Sequence, residues 1–229
     1  ISTLFLYLIM NLLLNEFSKE NNAISIVNQL LIISSIIGTT GFIDDLNEIN
    51  IKLKFGIQAL VSILIIYYSN FYSLEGYQAI YYICSYLALI ILISGIINLI
   101  NFMDGIDGLV CGMFSFVFLI LSIKSNIFLL PLSAGFLSFL FINWNPSKMF
   151  MGDAGSTFIG AIFAGLIINT TSLIQAISIF LLITPLLLDA SYSMIKRIFD
   201  GQNIFKPHKL HLYQRLVQNG MSHAKVSII

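Results

Sequence analysis

Charged side chains are scarce in this chain of 229 residues: they make up 10% of it, whereas hydrophobic residues make up 58%. This balance excludes an ordinary soluble domain, and the apolar runs lack the alternation that a membrane β-barrel needs. Cysteine is limited to Cys84 and Cys111, which lie in or beside apolar runs and are expected to pack as small hydrophobes. The formal net charge is zero, so the composition indicates no nucleic-acid partner. No signal-peptide pattern or internal repeat is visible.

Long apolar runs account for most of the sequence. A helix needs about 20 mostly apolar residues to cross a bilayer core, and an open sheet cannot satisfy its backbone in lipid. We therefore predict an all-α, polytopic membrane helical bundle of about eight transmembrane helices, forming one integral-membrane domain over residues 1–229. We also expect residues to be missing at both ends. The predicted spans are Ile1–Leu14, Ala23–Ile43, Phe55–Phe71, Ala79–Leu99, Leu109–Ile123, Phe128–Ile142, Thr157–Ile168 and Leu173–Tyr192.

The connections between these spans differ in charge from one side to the other. The connections on one side, residues 44–54, 100–108, 143–156 and 193–229, carry nine of the 11 Lys and Arg residues. The positive-inside rule assigns this side to the cytoplasm. We therefore predict a multi-pass protein of the cell membrane, with a cytoplasmic His-rich and basic segment at residues 194–225.

Five carboxylates stand at the cytoplasmic ends of the predicted spans: Asp44, Asp45, Asp104, Asp107 and Asp153. Ionisable groups are costly to hold near a bilayer, so they indicate a functional site. Since the sidedness argument brings all five to one membrane face, that face is the predicted site.

The first acidic cluster is the pair Asp44 and Asp45. Adjacent carboxylates repel each other, which raises one pKa unless a cation lies near. Lys52, Lys54 or a divalent metal can supply that cation. The alternative is a solvated acidic helix end.

The second cluster is the segment 98–109, Asn-Leu-Ile-Asn-Phe-Met-Asp-Gly-Ile-Asp-Gly-Leu. Asn98, Asn101 and Asp104 recur every three residues, which places them on one face of a helix. The glycines after Asp104 and Asp107 allow a sharp turn or a close approach of the backbone to a ligand. The segment suits a ligand with hydroxyls and phosphates, and polar interfacial packing is the alternative.

The third cluster is Gly-Asp-Ala-Gly-Ser at residues 152–156. It can begin a helix, with Ser156 near the cap. Because Mg²⁺ usually binds one or two carboxylates plus substrate phosphates, Asp153 can hold such an ion. Simple helix capping by Asp153 is the alternative.

The fourth cluster is basic and spans Lys206 to Arg215. His208, His211 and Arg215 are suited to contact phosphate oxygens. Zinc is disfavoured because no Cys and no third His lie near. A basic patch that touches lipid headgroups is the alternative. His223 stands alone and receives no role.

In this order, the four clusters resemble the motifs of the polyprenyl-phosphate N-acetylhexosamine-1-phosphate transferase family, glycosyltransferase family 4. That family's pattern has Gly-x-x-Asp-Asp followed by Lys, then Asn-x-x-Asn-x-x-Asp-Gly-x-Asp-Gly-Leu, Phe-Met-Gly-Asp-x-Gly-Ser and a His-rich loop. The resemblance runs from Gly41 to Arg215. The segment at Asp189 and the segment 207–215 are similar to the branch that initiates O-antigen and related surface glycans, whereas the His-His-His run of the peptidoglycan branch is absent.

The resemblance implies a reaction between a lipid and a nucleotide sugar. N-acetylhexosamine 1-phosphate would pass from a UDP-N-acetylhexosamine to undecaprenyl phosphate or another polyprenyl phosphate, giving a lipid-diphosphate sugar and UMP. This step would initiate cell-envelope glycan synthesis, such as that of lipopolysaccharide O-antigen. It would depend on Mg²⁺, or on Mn²⁺ in its place, and a homodimer is compatible with it.

The resemblance also implies roles for particular residues. Asp44 would position the lipid phosphate, accept its proton or form a covalent intermediate, three options that the residues leave open. The implied catalytic residues are Asp44, Asp45, Asp104 and Asp107, the implied metal ligands are Asp153, Asp107 and Asp45, and the implied substrate-binding residues are Lys52, Asn98, Asn101, His208, His211 and Arg215.

Two other interpretations are weighed against this one. A membrane transporter would place ionisable residues near the bilayer midplane on broken helices, whereas the mid-span positions here are almost free of charge. A catalytically inactive fragment of the transferase would keep the site residues without the activity.

Overall fold

The described part of the chain is helical throughout. The structure, a computed structural model, describes residues 21–69, 79–201 and 212–228, and it contains no strand within these ranges. This confirms the predicted all-α class for that part of the chain. The α-helices are α1 (Asn21–Leu46), α2 (Ile51–Tyr68), α3 (Ala79–Met103), α4 (Leu109–Lys124), α5 (Leu130–Asn143), α6 (Gly152–Ile168), α7 (Leu173–Leu181), α8 (Thr184–Phe199), α9 (Leu212–Gln218) and α10 (His223–Ile228), and a 3₁₀ turn covers Ile127–Leu129.

Three of the described helices, α1, α2 and α3, are long and apolar enough to cross a bilayer. The pair α7 and α8 adds a fourth span if it is counted as one. Helices α4, α5 and α6 are apolar but shorter. The 16 residues of α4 rise about 24 Å, less than a bilayer core of about 30 Å. The run predicted at Ile1–Leu14 lies outside the described residues, and the count of eight spans stays a prediction.

The run Leu173–Tyr192, predicted as one span, is divided between two helices with a bend at the break. Helix α7 ends at Leu181, and α8 begins at Thr184 with Pro185 in its first turn. Proline has no N–H to donate to the preceding turn and is favoured at a helix start, so a new helix begins here.

The chain divides into two compact units. The first unit comprises Asn21–Asn101 and Gly152–Leu182. In it α1 packs along α6, and both contact α2. Helix α6 also approaches α3 closely, because a Cβ atom on Gly160 would lie 2.9 Å from the Cα atom of Ile97.

The second unit comprises Phe102–Met151 and the described residues from Ile183 onward. Its core lies between α4 and α5, where Phe114, Phe118 and Phe128 are fully buried. The rings of Phe114 and Phe118 are 5.8 Å apart between centroids. Helix α9 contacts α8, and α10 contacts both α9 and α4.

Candidate active site

In the first unit, three helices bring two carboxylates and one ammonium group together. Asp44 lies near the end of α1, Lys54 in the first turn of α2 and Asp153 in the first turn of α6. The Lys54 ammonium forms an ion pair with the Asp44 carboxylate and lies 3.3 Å from Oδ2 of Asp153. Of the two lysines named for the acidic pair, Lys52 and Lys54, it is thus Lys54 that lies against it.

Asp44 is held at both of its carboxylate oxygens. Oδ1 accepts the backbone N–H of Ile49 at 2.7 Å, and Oδ2 accepts from Lys54. Its side chain is largely buried, at 12% exposure. Because two fixed donors hold it, the carboxylate has a defined orientation toward Lys54.

Asp45 caps the start of α6. Its two oxygens accept the backbone N–H groups of Asp153 at 3.0 Å and Ala154 at 3.2 Å. The first N–H groups of a helix have no partner within the helix and carry partial positive charge, so a carboxylate there is stabilising. Asp45 therefore links the acidic pair to the Gly-Asp-Ala-Gly-Ser motif.

Two glycines make this link sterically possible. Gly152 has a φ of 65°, a left-handed conformation, and a Cβ atom on it would lie 2.5 Å from Oδ2 of Asp45. A Cβ atom on Gly41 would lie 2.5 Å from the carbonyl oxygen of Asp153. The backbones of α1 and α6 can therefore approach this closely only because both positions lack a side chain.

Asn101 contacts the same motif through Ser156. The Ser156 hydroxyl lies 2.5 Å from Oδ1 of Asn101 and 2.8 Å from the carbonyl oxygen of Gly152. Helix α6 begins at Gly152, so Ser156 lies one turn inside it, not at its cap as predicted. The predicted binding residue Asn101 is thus brought to the acidic site through α6.

Asn98 has a partner that the sequence analysis missed. It exchanges two hydrogen bonds with Gln58 on α2, at 2.9 and 3.0 Å, and donates a third to the carbonyl oxygen of Ser94 at 3.0 Å. Gln58 is buried, with 7% of its surface exposed. This engagement favours a role for Asn98 in joining α2 to α3, while its predicted contact with substrate stays a prediction.

A pair of substitutions separates these two roles of Asn98. Asn98→Leu alone should lower the thermal unfolding midpoint in detergent, because it leaves the buried Gln58 amide without its partner. The double variant Gln58→Met/Asn98→Leu should recover much of that midpoint, since both polar groups are then gone. If transfer is also recovered, Asn98 is structural. Transfer that stays lost in a stable double variant would support substrate binding.

In the second unit, the Asp107 carboxylate is buried and surrounded by hydrogen-bond donors. It accepts from the Asn145 amide at 2.8 Å and from the Ser147 hydroxyl at 2.8 Å, and Nδ1 of His223 lies 3.4 Å from it. Burial opposes its ionisation, but the hydrogen bonds from Asn145 and Ser147 outweigh it, so the pKa of Asp107 lies below its ordinary value. Asp107 therefore carries a negative charge at neutral pH.

The turn after Asp107 is fixed by Asn143 and Trp144, which the sequence analysis did not single out. The Asn143 side chain accepts the N–H of Gly108 at 3.0 Å and donates to the carbonyl oxygen of Met149 at 2.9 Å. Gly108 has a φ of 76°, and a Cβ atom on it would lie 2.7 Å from the Trp144 ring. These residues belong to the connection that ends in the third motif. That position is the only feature of the sequence that could have identified them.

Lys52, Asp104 and Arg215 are the other predicted residues that the structure describes. Lys52 is exposed at the start of α2, where its backbone N–H is capped by Asn50 at 2.9 Å. Arg215 is exposed on α9, and Asp104 is half-buried beside Tyr213 in the second unit. His208 and His211 lie outside the described residues. The roles predicted for all five of these residues stay predictions.

The donor set of the first unit fits a hard cation. Nowhere in residues 21–69, 79–201 and 212–228 do three or more His, Cys, Asp or Glu side chains gather to enclose a metal ion. Mg²⁺ needs fewer protein ligands than this, since it usually binds one or two carboxylates together with phosphates and water. Asp153 provides one such carboxylate, whereas both oxygens of Asp44 are already engaged by Ile49 and Lys54. Asp45 has both oxygens bound to backbone N–H groups, so its role as a ligand stays a prediction, as does that of Asp107.

Comparison with known proteins bears on the identity of this site. The sequence profile of "Glycosyl transferase family 4" matches residues 27–171. A probable undecaprenyl-phosphate N-acetylglucosaminyl 1-phosphate transferase of Bacillus subtilis is 32% identical, over 82% of this chain and 57% of its own length. A decaprenyl-phosphate N-acetylglucosaminephosphotransferase of Mycobacterium tuberculosis is also 32% identical, over 63% and 44%. A phospho-N-acetylmuramoyl-pentapeptide-transferase of Staphylococcus aureus is 29% identical, over 86% and 69%.

The chain spans about half the length of most of these relatives. The matched range contains the acidic pair, the Asn-Asp-Gly segment and the Gly-Asp-Ala-Gly-Ser motif, and it covers well over half of the chain. The chain therefore belongs to glycosyl transferase family 4, the family of polyprenyl-phosphate N-acetylhexosamine-1-phosphate transferases whose motifs it shares.

Proposed function

We propose that this protein transfers N-acetylhexosamine 1-phosphate from a UDP-sugar to undecaprenyl phosphate or a similar polyprenyl phosphate at the cytoplasmic membrane face. The observation that carries the proposal is the placement of Lys54 between Asp44 and Asp153, on three helices of one unit. N-acetylhexosamine units are what the matched relatives' names share. The surface-glycan branch remains our choice among the family's branches, because the tail lacks a His-His-His run.

The reaction requires charge to be neutralised between two phosphorylated substrates. An oxygen of the lipid phosphate attacks the phosphorus next to the sugar, the bond from that phosphorus to the bridging oxygen breaks, and UMP leaves. Phosphoryl transfer depends mostly on positioning and electrostatic stabilisation. Lys54 offers a fixed positive charge for a phosphate, and Asp153 offers a carboxylate for Mg²⁺, which would neutralise the diphosphate when bound.

Asp44 is better suited to position Lys54 than to remove a proton. Its two oxygens already accept from Ile49 and Lys54. A phosphate monoester has a second pKa of about 6, so the lipid phosphate is mostly dianionic at neutral pH and gains little from a base. The role that we propose for Asp44 is therefore to hold the Lys54 ammonium toward the substrate phosphates.

The test is a transfer assay on membranes that contain the full-length protein, with undecaprenyl phosphate and a panel of UDP-N-acetylhexosamines. We expect a lipid-linked sugar and one UMP for each product formed. Lys54→Met should abolish product formation, whereas Lys225→Met, at an exposed position on α10, should not. Release of UDP instead of UMP would show glycosyl transfer and contradict the proposal, as would the absence of any product.

Metal dependence is a separate expectation. Transfer should cease in excess EDTA and return on addition of Mg²⁺ or Mn²⁺, because a divalent cation held by Asp153 would neutralise the diphosphate together with Lys54. The measurement is initial rate against free metal concentration. Full activity in excess chelator would contradict a metal role for Asp153.

A further inference from the structure

The C-terminal helices of the second unit hold the loop that joins α3 to α4. This motif loop, residues 104–108, carries Asp104 and Asp107 with their two glycines. Helices α9 and α10 lie beyond residue 171, where the family profile ends. Their contacts with the motif loop are therefore a property that the matched profile does not describe.

Tyr213 on α9 holds the start of the motif loop. Its hydroxyl donates to the carbonyl oxygen of Phe102 at 3.2 Å, and the side chain is buried. A Cβ atom on Gly105 would collide with the same hydroxyl group. Burial, together with the charges of Asp189 and Asp104, raises the pKa of Tyr213 above its ordinary value, so the phenol stays a donor.

Helix α9 is itself anchored to α8. Both oxygens of Asp189 accept backbone N–H groups at its start, that of Leu212 at 2.8 Å and that of Tyr213 at 3.3 Å. This anchor places the phenol ring against Gly105. The Asp189 segment, which resembles a family branch in sequence, thus has a structural role in placing α9.

Helix α10 holds the end of the motif loop. The Ser227 hydroxyl donates to the backbone carbonyl oxygen of Asp107 at 2.8 Å, and the His223 ring lies 3.4 Å from its carboxylate. Val226 between them is buried, so α10 is seated on the unit and not merely touching it. His223, to which the sequence assigned no role, thus faces a predicted catalytic residue.

We propose that Tyr213 and Ser227, with His223, are positioning residues that clamp the motif loop in the arrangement required to bind the nucleotide sugar. The inference rests on the proposed function. Two hydroxyl groups, on two helices, fix the carbonyl groups on either side of Gly105. A clamp on backbone atoms controls where Asp104 and Asp107 lie without contacting the substrate. The clamp is proposed for the binding role of the segment 98–109, which suits a ligand with hydroxyls and phosphates, and not for the catalytic role that the resemblance implies. Its loss should therefore weaken sugar-nucleotide binding more than it slows the chemical step.

The experiment removes one hydroxyl at a time from the full-length protein in membranes. Tyr213→Phe and Ser227→Ala should each raise the KM for the UDP-sugar by roughly 3- to 10-fold, the equivalent of one lost hydrogen bond, with kcat and the KM for the lipid phosphate changed little. Ser227→Thr, which keeps a hydroxyl, should restore the KM. Tyr192→Phe and Ser138→Ala remove hydroxyls from exposed positions of the same unit and should leave both constants unchanged.

The outcomes separate the clamp from the proposed function. If the wild-type protein transfers no sugar, the proposed function fails. If the wild type is active but both hydroxyl variants keep its KM, or lose kcat with KM unchanged, the clamp is wrong. A lowered thermal midpoint with an unchanged KM would show a purely structural contact and also overturn it. Should one variant not accumulate, the other carries the test, since the two hydroxyls act on different carbonyls.

Discussion

Replacement of Asp153 by Asn should lower the transfer rate at least about 100-fold, which corresponds to roughly 2.7 kcal/mol of transition-state stabilisation. The substitution keeps the shape of the side chain but removes the charge that faces Lys54 and, in our proposal, Mg²⁺. The N–H group through which Asp153 binds Asp45 belongs to the backbone, so the cap of α6 is retained. The measurement is initial rate against Mg²⁺ concentration in membranes.

The dependence of the rate on Mg²⁺ concentration distinguishes a metal-binding role of Asp153 from a purely structural one. If Asp153 carries the ion, the Asn variant should need more Mg²⁺ for half-maximal activity as well as being slower. Asp200→Asn removes an equal charge from an exposed position after α8 and should leave both quantities unchanged. A wild-type rate and metal midpoint in the Asp153 variant would show that this carboxylate serves the helix start alone.

The acidic site shows what local sequence spacing can predict. The spacing of Asn98, Asn101 and Asp104 predicts one polar helix face, and the first two do lie on α3. The sequence alone does not show whether Lys52 or Lys54 contacts the acidic pair, since both follow it in one basic stretch. Only the packing of α2 decides between them, and it turns Lys54 toward Asp44.

Long-range partners could not be predicted in this way. Asp45 and the Asp153 N–H group that it caps are separated by 108 positions, and they meet because α1 packs along α6. Gln58 and Asn98 are 40 positions apart on helices that are apolar on most faces. No periodicity within one helix indicates which residue of another helix will face it.

The clamp illustrates a further limit of motif analysis. Tyr213, His223 and Ser227 are single polar residues in a basic tail, and no spacing links them to residues 104–108. Their contacts depend on where α9 and α10 are seated, which Asp189 and the buried Val226 decide. Sequence patterns therefore identify the groups that carry charge more readily than the groups that hold them in place.

Replacement of Gly152 by Ala is the second substitution with a large expected effect. A left-handed residue other than glycine costs about 1–2 kcal/mol, and loss of a helix cap costs about 1 kcal/mol more. Both costs should apply here, because φ is 65° and the new Cβ atom would lie 2.5 Å from Oδ2 of Asp45. We expect a lower thermal unfolding midpoint in detergent and at least a tenfold slower transfer, since displacement of Asp45 shifts the start of α6 and Asp153 with it.

Substitutions at two other glycines separate the conformational cost of Gly152→Ala from the cost of its steric clash with Asp45. Gly201 also has a φ of 65°, but a Cβ atom there meets nothing within 4 Å, so Gly201→Ala should show the backbone cost alone. Gly56 lies inside α2 with equally open surroundings, and Gly56→Ala should be neutral or stabilising because alanine favours helix. The expected order of unfolding midpoints is thus Gly56→Ala above Gly201→Ala above Gly152→Ala, with transfer strongly reduced only in the last. Equal effects at Gly152 and Gly201 would mean that the contact with Asp45 contributes nothing, and the cap that joins the acidic pair to α6 would have to be abandoned.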